Sequence, residues 1–166
     1  TRRELIAALQ KSQAELQSLL ESMASVQDWQ REPAEWSFRL LAAHLAKVER
    51  ECHLPRLRRI ATGEQPRLAG YSHTGLALAT QDIHDSLADW AEARRALLAF
   101  VTELPADHLT LMGIHVDVGA VTLLEVLEEL ALQDQGHIRY VRQLIQDFYD
   151  DQLPAPIYLD QRFAVN

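Results

Sequence analysis

A run of side chains repeating every three or four residues extends from Leu123 through Leu127, Leu130, Asp134, His137, Val141 and Leu144 to Phe148. Steps of that size return each side chain to one face of an α-helix, so this stretch predicts a long helix with one continuous buried seam. Two members of the seam, Asp134 and His137, are polar. An unpaired carboxylate or imidazole among aliphatics costs desolvation energy, so the pair calls for a partner: a proton, a hydrogen-bond network or a metal ion. Whatever the chain folds into must supply that partner from other elements.

With 166 residues the chain is long enough for one domain with a real core and short for two, so a single domain over 1–166 is expected. A formal charge of −8 argues against nucleic-acid binding, which calls for a basic face. No segment approaches the roughly twenty apolar residues of a membrane span. The lone Cys52 excludes an intramolecular disulfide and fits a reducing cytoplasm. Thr1-Arg2-Arg3-Glu4-Leu5 runs directly into an amphipathic pattern with no signal-peptide signature, so a cytoplasmic location is expected.

Periodicity predicts four helices. The first spans Arg3 to Val26 and turns Leu5, Leu9, Leu16, Leu19, Leu20 and Met23 inward. The second opens with Ser37 as N-cap and presents Phe38, Leu41, Leu45, Val48 and Cys52, with Pro55 kinking or resetting it. The stretch from Gly63 to Leu78 reads as a long connection, which lets the second and third helices lie parallel instead of forming a hairpin. The third helix is expected over Thr80–Glu103, a loop over Pro105–Gly119, and the fourth helix from there to Tyr149. Leu109–Val118 is the one candidate for an extended piece, and a tail with Pro154 and Pro156 is expected to pack across the bundle. The fold class is therefore all-α, a four-helix bundle with a long crossover between helices two and three.

Of seven histidines, His73, His108 and His115 fall in predicted loops, His84 near a helix start, and His53 beside Pro55 reads as a partly exposed helix residue. His44 and His137 hold edge positions on the seams of helices two and four, where side chains can reach a groove between helices. A divalent-metal site needs three or more protein ligands. His137 offers two helical neighbours for that role: Gln133, a weak neutral carbonyl donor, and Asp134, the better ligand chemically. The alternative is that Asp134 and His137 hydrogen-bond to other helices and fix the register of the bundle.

Three stretches give the chain a family likeness. Trp36-Ser37-Phe38-Arg39-Leu40-Leu41-Ala42-Ala43-His44-Leu45 is similar to a Trp-Ser run ending in His-Leu, and Gly119-Ala120-Val121-Thr122-Leu123-Leu124-Glu125-Val126-Leu127 to the approach to a last helix. Gln133-Asp134-Gln135-Gly136-His137-Ile138 aligns with a His-acidic-x-x-His-Leu motif. In these stretches, and in helix order, the sequence resembles the DinB/YfiT-like superfamily of four-helix bundles. His115 falls where relatives often carry a loop histidine.

The resemblance implies a divalent metal, zinc or nickel, held by three histidines between helices two and four. Carried over, His44 and His137 match two ligands, and position 133 holds Gln where the family has His. Asp134 keeps the motif's acidic place, either behind an imidazole as its hydrogen-bond acceptor or as a replacement ligand. The implied activity is that of a metal-dependent enzyme, a thiol transferase or hydrolase acting on a small molecule such as a low-molecular-weight thiol, with a homodimer as assembly.

Two other function classes remain: a metal-free bundle whose pocket binds a small molecule, and a self-associating module. The stretch Gly70-Tyr71-Ser72-His73-Thr74-Gly75 lacks the spacing of a nucleophile turn. Cys52, on the apolar face of helix two, reads as a packing thiol.

Overall fold

Capping chemistry sets where most helices begin. In α1 (Arg2–Glu21) the Thr1 hydroxyl accepts from the Glu4 N–H and the Glu4 carboxylate reaches back, a complete capping box. The computed structural model describes residues 1–70 and 81–154. Beyond α1 the chain makes a 3₁₀ turn over Ala24–Val26, so the first predicted helix is interrupted before Val26. α2 (Phe38–Val48) starts at Ser37 as expected, its Oγ accepting from Leu40 N–H at 3.1 Å.

The chain then passes through a π-turn, Glu49–His53, directly into α3 (Leu54–Ala61), with Pro55 in the first turn of α3. Proline has no N–H to donate and its ring crowds the carbonyl four residues back. The wider turn takes up that misfit, and the Leu54 N–H reaches Glu49 O, five residues away. The second predicted helix is thus one rod with an extra residue wound into its middle.

After β1 (Arg67–Leu68), α4 spans Ile83–Glu103 and is capped by Asp82, two residues beyond the expected start at Thr80. The stretch from 105 to 119 is less loop-like than expected. A 3₁₀ turn (Ala106–Thr110) leads to β2 (Met112–His115) and β3 (Gly119–Thr122), and α5 (Leu123–Gln152) follows behind a second capping box, Thr122 with Glu125. β2 pairs antiparallel with β3 and parallel with β1, forming a three-stranded sheet in the order β1-β2-β3. The pairing of β1 joins Arg67 to Ile114 and Leu68 to His115, 47 positions apart, which short-range alternation cannot reveal.

Gly113 of β2 is where the sheet meets the helices. A Cβ there would stand 3.0 Å from Leu68 Cδ1, 3.1 Å from Ile60 Cγ1 and 3.2 Å from Pro66 O. Gly113→Ala is expected to cost about 1–3 kcal/mol by overpacking. Urea melts of the two proteins measure it, and equal midpoints would mean the sheet is free to shift off α3.

Cross-helix contacts give the topology. Arg39 Nη1 donates to Gln81 O, Arg94 pairs with Glu49, and Arg58 lies over the Phe100 ring. The partners rise together in number, so the α2–α3 rod and α4 run parallel. Arg94 Nη1 donates to Leu9 O while Arg2 reaches Leu104 O, so α1 and α4 run antiparallel. Ser12 with Asp134 and Glu15 with Arg142 make α1 and α5 parallel. The bundle is up–down–down–up, as the expected crossover requires.

Its interior is divided. One apolar cluster gathers Leu16, Leu20, Phe38, Leu41, Leu87, Trp90, Ile138 and Val141 at one end. A second gathers Leu9, Leu57, Ile60, Leu97, Val101, Leu123 and Leu127 beside the sheet. Between them each of the four rods contributes a polar residue: Ser12 from α1, Glu49 and His53 from the π-turn of the α2–α3 rod, Arg94 from α4 and Asp134 from α5, all buried. This polar layer carries the site. No helix among the described residues is long and apolar enough to cross a membrane.

Candidate functional site

At the centre of the layer is Arg94, 1% exposed. Its Nε and Nη2 donate to Glu49 Oε1 and Oε2 at 2.5 and 3.2 Å, and its Nη1 and Nη2 to Asp134 Oδ2 and Oδ1 at 2.8 and 3.1 Å. Nη1 also reaches Leu9 O at 3.1 Å, the Ser12 hydroxyl donates to Asp134, and the guanidinium carbon lies 5.2 Å from the Trp90 ring centre. Burial alone would push the guanidinium down, but the hydrogen bond to Asp134 and the two carboxylate charges outweigh it and hold Arg94 above its ordinary value. Burial pushes the Glu49 carboxyl up, partly offset by Arg94. One cation faces two acids, so with both acids ionised the layer carries a net negative charge.

Asp134 therefore has one of the partners its sequence position demanded, a hydrogen-bond network. Both of its oxygens are committed to Arg94, which argues against its service as a replacement metal ligand. It ties α5 to α4 and α1, the register-fixing alternative.

The next turn outward holds the imidazoles. The His44 and His137 rings have centroids 5.5 Å apart at an interplanar angle of 69°, and the Trp36 ring centre lies 5.0 Å from that of His44. Both histidines line a narrow cleft with Leu45, Val48, Glu49, His53, Leu130, Gln133 and Asp134, with room of about 10 Å³, close to one water-sized sphere. Burial holds the His137 imidazole below its usual value, with the Asp134 charge opposing, so it is neutral and its lone pair is available at neutral pH.

The spacing can be compared with metal binding. With a Zn–N distance of about 2.0–2.1 Å and a ring centre about 1 Å further back, two imidazoles on one tetrahedral ion have centroids about 5 Å apart. The 5.5 Å between the His44 and His137 ring centres is close to that spacing. Gln133 lines the same cleft, and its Nε2 donates to Glu129 Oε1 at 3.4 Å, so the carbonyl is the atom it can offer an ion. Among the described residues no group of three or more His, Cys, Asp or Glu side chains is placed to hold a metal. The donor set that fits is two imidazoles and a neutral amide, weaker than three imidazoles.

The cleft shares His53, Leu130 and Gln133 with a wider groove of about 360 Å³. One wall of the groove is α5, with Glu125, Glu129 and Gln133 one turn apart; the other is formed by Arg56, Leu68, His115 and Val121. His115 accepts from the Asp117 N–H at its Nδ1, 3.1 Å, so the structure brings this loop histidine to the groove and not to the cleft. His84 and His108 lie away from both cavities, and His73 lies outside the described residues.

His53 is the residue that sequence reasoning misplaced. Expected to be partly exposed, it is 8% exposed and lines both cavities. On a regular helix at about 100° per residue, nine steps from His44 end about 180° away, on the opposite face. The residue wound in by the π-turn removes one step and brings His53 round to about 80°. The signal available in the sequence was Pro55, whose misfit the wider turn takes up. Cys52, beside it, is buried, and burial pushes its thiol up, as suits a packing residue.

A sequence model of the DinB superfamily matches residues 8–141, which include all three histidines of the cleft and all three motif stretches up to Ile138. The fold is similar to the solved structure of YfiT from Bacillus subtilis, with a TM-score of 0.75 and 22% identity over 89% of this chain and 87% of that one. YfiT is described as a probable metal-dependent hydrolase with an unusual four-helix bundle topology. No curated protein sequence matches this chain.

Proposed function

Because this chain belongs to the DinB superfamily, we propose that it is a metal-dependent hydrolase of small molecules, with its centre in the cleft between α2 and α5. The observation that carries this reading is the pair of imidazoles, His44 and His137, with ring centres 5.5 Å apart in the cleft, which shares Gln133 with the groove. The description of YfiT as a metal-dependent hydrolase supports it by analogy of fold.

His44 and His137 would hold a divalent ion, zinc or nickel, with the Gln133 carbonyl as a third and weaker donor. Bound there, such an ion supplies a deprotonated water, or a small thiol, as nucleophile near neutral pH. The remaining chemistry belongs to the chain. The Arg94 network fixes Asp134 and therefore the face of α5 from which His137 projects. With both acids ionised, its net negative charge favours a cation in the adjoining cleft. The groove holds the body of the substrate between an aliphatic floor and the polar walls.

Elemental analysis of untagged protein after incubation with zinc or nickel tests the reading. About one equivalent is expected, lost together in His44→Ala and His137→Ala. Gln133→His should tighten zinc binding about tenfold or more by restoring an imidazole donor. Absence of metal in the wild-type protein, or metal unaffected by both alanine variants, would overturn the assignment. Hydrolysis of short acyl esters, with and without added thiol, then separates water from thiol as nucleophile.

A further inference from the structure

The polar layer contains one group that neither the Arg94 network nor the imidazole pair uses. His53 lies at the junction of cleft and groove, nine-tenths buried, and no hydrogen bond joins its ring to another described residue. Its neighbours explain its state: burial first, then the Arg94 and Arg56 charges, hold it down at about 4, against weaker opposition from Asp134, with His137 adding slightly to the depression. The ring is therefore a neutral imidazole at neutral pH. A neutral imidazole has one N–H donor and one acceptor nitrogen. Buried polar groups are ordinarily satisfied, and this one borders two cavities instead of a protein acceptor.

The π-turn gives a second, independent reason to look here. Such turns are rare and concentrate at functional sites. Its effect in this chain is specific: it brings to the cavity a face of the rod that holds His53, which a regular helix would turn away.

We propose that His53 is a catalytic residue of this site, its ring N–H at the junction of cleft and groove donating a hydrogen bond to the substrate oxygen that gains charge during hydrolysis. This inference rests on the hydrolase reading. In acyl hydrolysis water adds its oxygen to the acyl carbon and the C=O pair moves onto oxygen. The return of that pair breaks the bond to the leaving group. One water proton leaves with that group and the other stays with the acid or passes to solvent. His53 gives up no proton in this sequence. It offers a fixed N–H to the oxyanion, as neutral imidazoles can when their environment keeps them uncharged. The Arg56 guanidinium on the groove wall favours such an anion, against the Glu125 and Glu129 carboxylates of the α5 wall, so a fixed N–H donor is needed there.

Methylphosphonate, a tetrahedral oxyanion, serves as the probe, with binding followed by calorimetry and by the ¹⁵N shifts of the His53 ring. Wild-type protein is expected to bind it with a shift of the His53 N–H signal. His53→Leu should weaken binding about tenfold or more, while His53→Gln, which keeps an N–H donor, should stay within about threefold of wild type. Zinc content should be equal in all three. Undiminished binding by His53→Leu, no binding to wild type, an unmoved His53 signal at saturation, or zinc lost along with the probe would each overturn the proposal. If wild type holds no zinc and yet binds the probe through His53, the hydrolase reading fails and the assignment of His53 as an oxyanion donor stands.

Discussion

Arg94→Met is expected to remove about 3–5 kcal/mol of folding stability at pH 7.5, the largest effect of any single change in the polar layer. The substituted side chain keeps much of the arginine's length and leaves Glu49 and Asp134 buried at 1% and 2% exposure with no cation between them. Two buried carboxylates without a partner can be accommodated only by protonation or by opening the core. Burial without a cation disfavours the ionised form of an acid, so the deficit is greatest above the ordinary carboxylate range and shrinks as pH falls. Urea unfolding at pH 7.5 and pH 5 measures both parts. Replacing all three residues together, Arg94→Met with Glu49→Leu and Asp134→Leu, should recover most of the loss, because the cost lies in the orphaned charges more than in the missing pair. A single variant within about 1 kcal/mol of wild type would mean that water already reaches the layer.

The folded protein should also lose about 3 kcal/mol between pH 6.5 and pH 4 on account of His53 alone. Burial, with the Arg94 and Arg56 charges, lowers this histidine from 6.5 to about 4 in the folded state. Above about 6.5 neither state binds the proton and the full stability is present. Between the two values the unfolded chain takes up a proton that the folded chain refuses, so stability falls as pH falls through that window. His137, also lowered, acts in the same direction, while Glu49, raised by burial, acts in the opposite one. Urea melts of chelator-treated protein from pH 8 to 4.5 give the slope, and His53→Gln isolates the contribution. Parallel curves for the two proteins would show that the buried imidazole is protonated in the fold.

How much of this was legible beforehand depended on the range of the interaction. The starts of α2 and α5 follow from residues within three positions of one another, Ser37 with Leu40 and Thr122 with Glu125. The seam of α5 was readable because helical periodicity is local. The expected pairing of His44 with the His137 face needed the family likeness, since no spacing rule links positions on different helices. β2 falls within the extended candidate Leu109–Val118, but its pairing with β1 was missed because the register joins Arg67 to Ile114 across the whole of α4. His53 was misplaced for a subtler reason. One inserted residue changes the phase of a helix by about 100°, and an argument from periodicity assumes there is none.

By itself, then, the sequence determined a bundle of amphipathic helices, most of their starting points, and the demand that Asp134 and His137 find partners. Those follow from periodicity, capping and the cost of burying polar groups, all of which act along the chain. Only the tertiary structure decided who the partners are. It gave Asp134 to Arg94 and Ser12, set His137 against His44, and brought His53 to the junction of cleft and groove. Side chains from separate helices meet only once packing has set the orientation of each rod, and a single wide turn is enough to change which of them do.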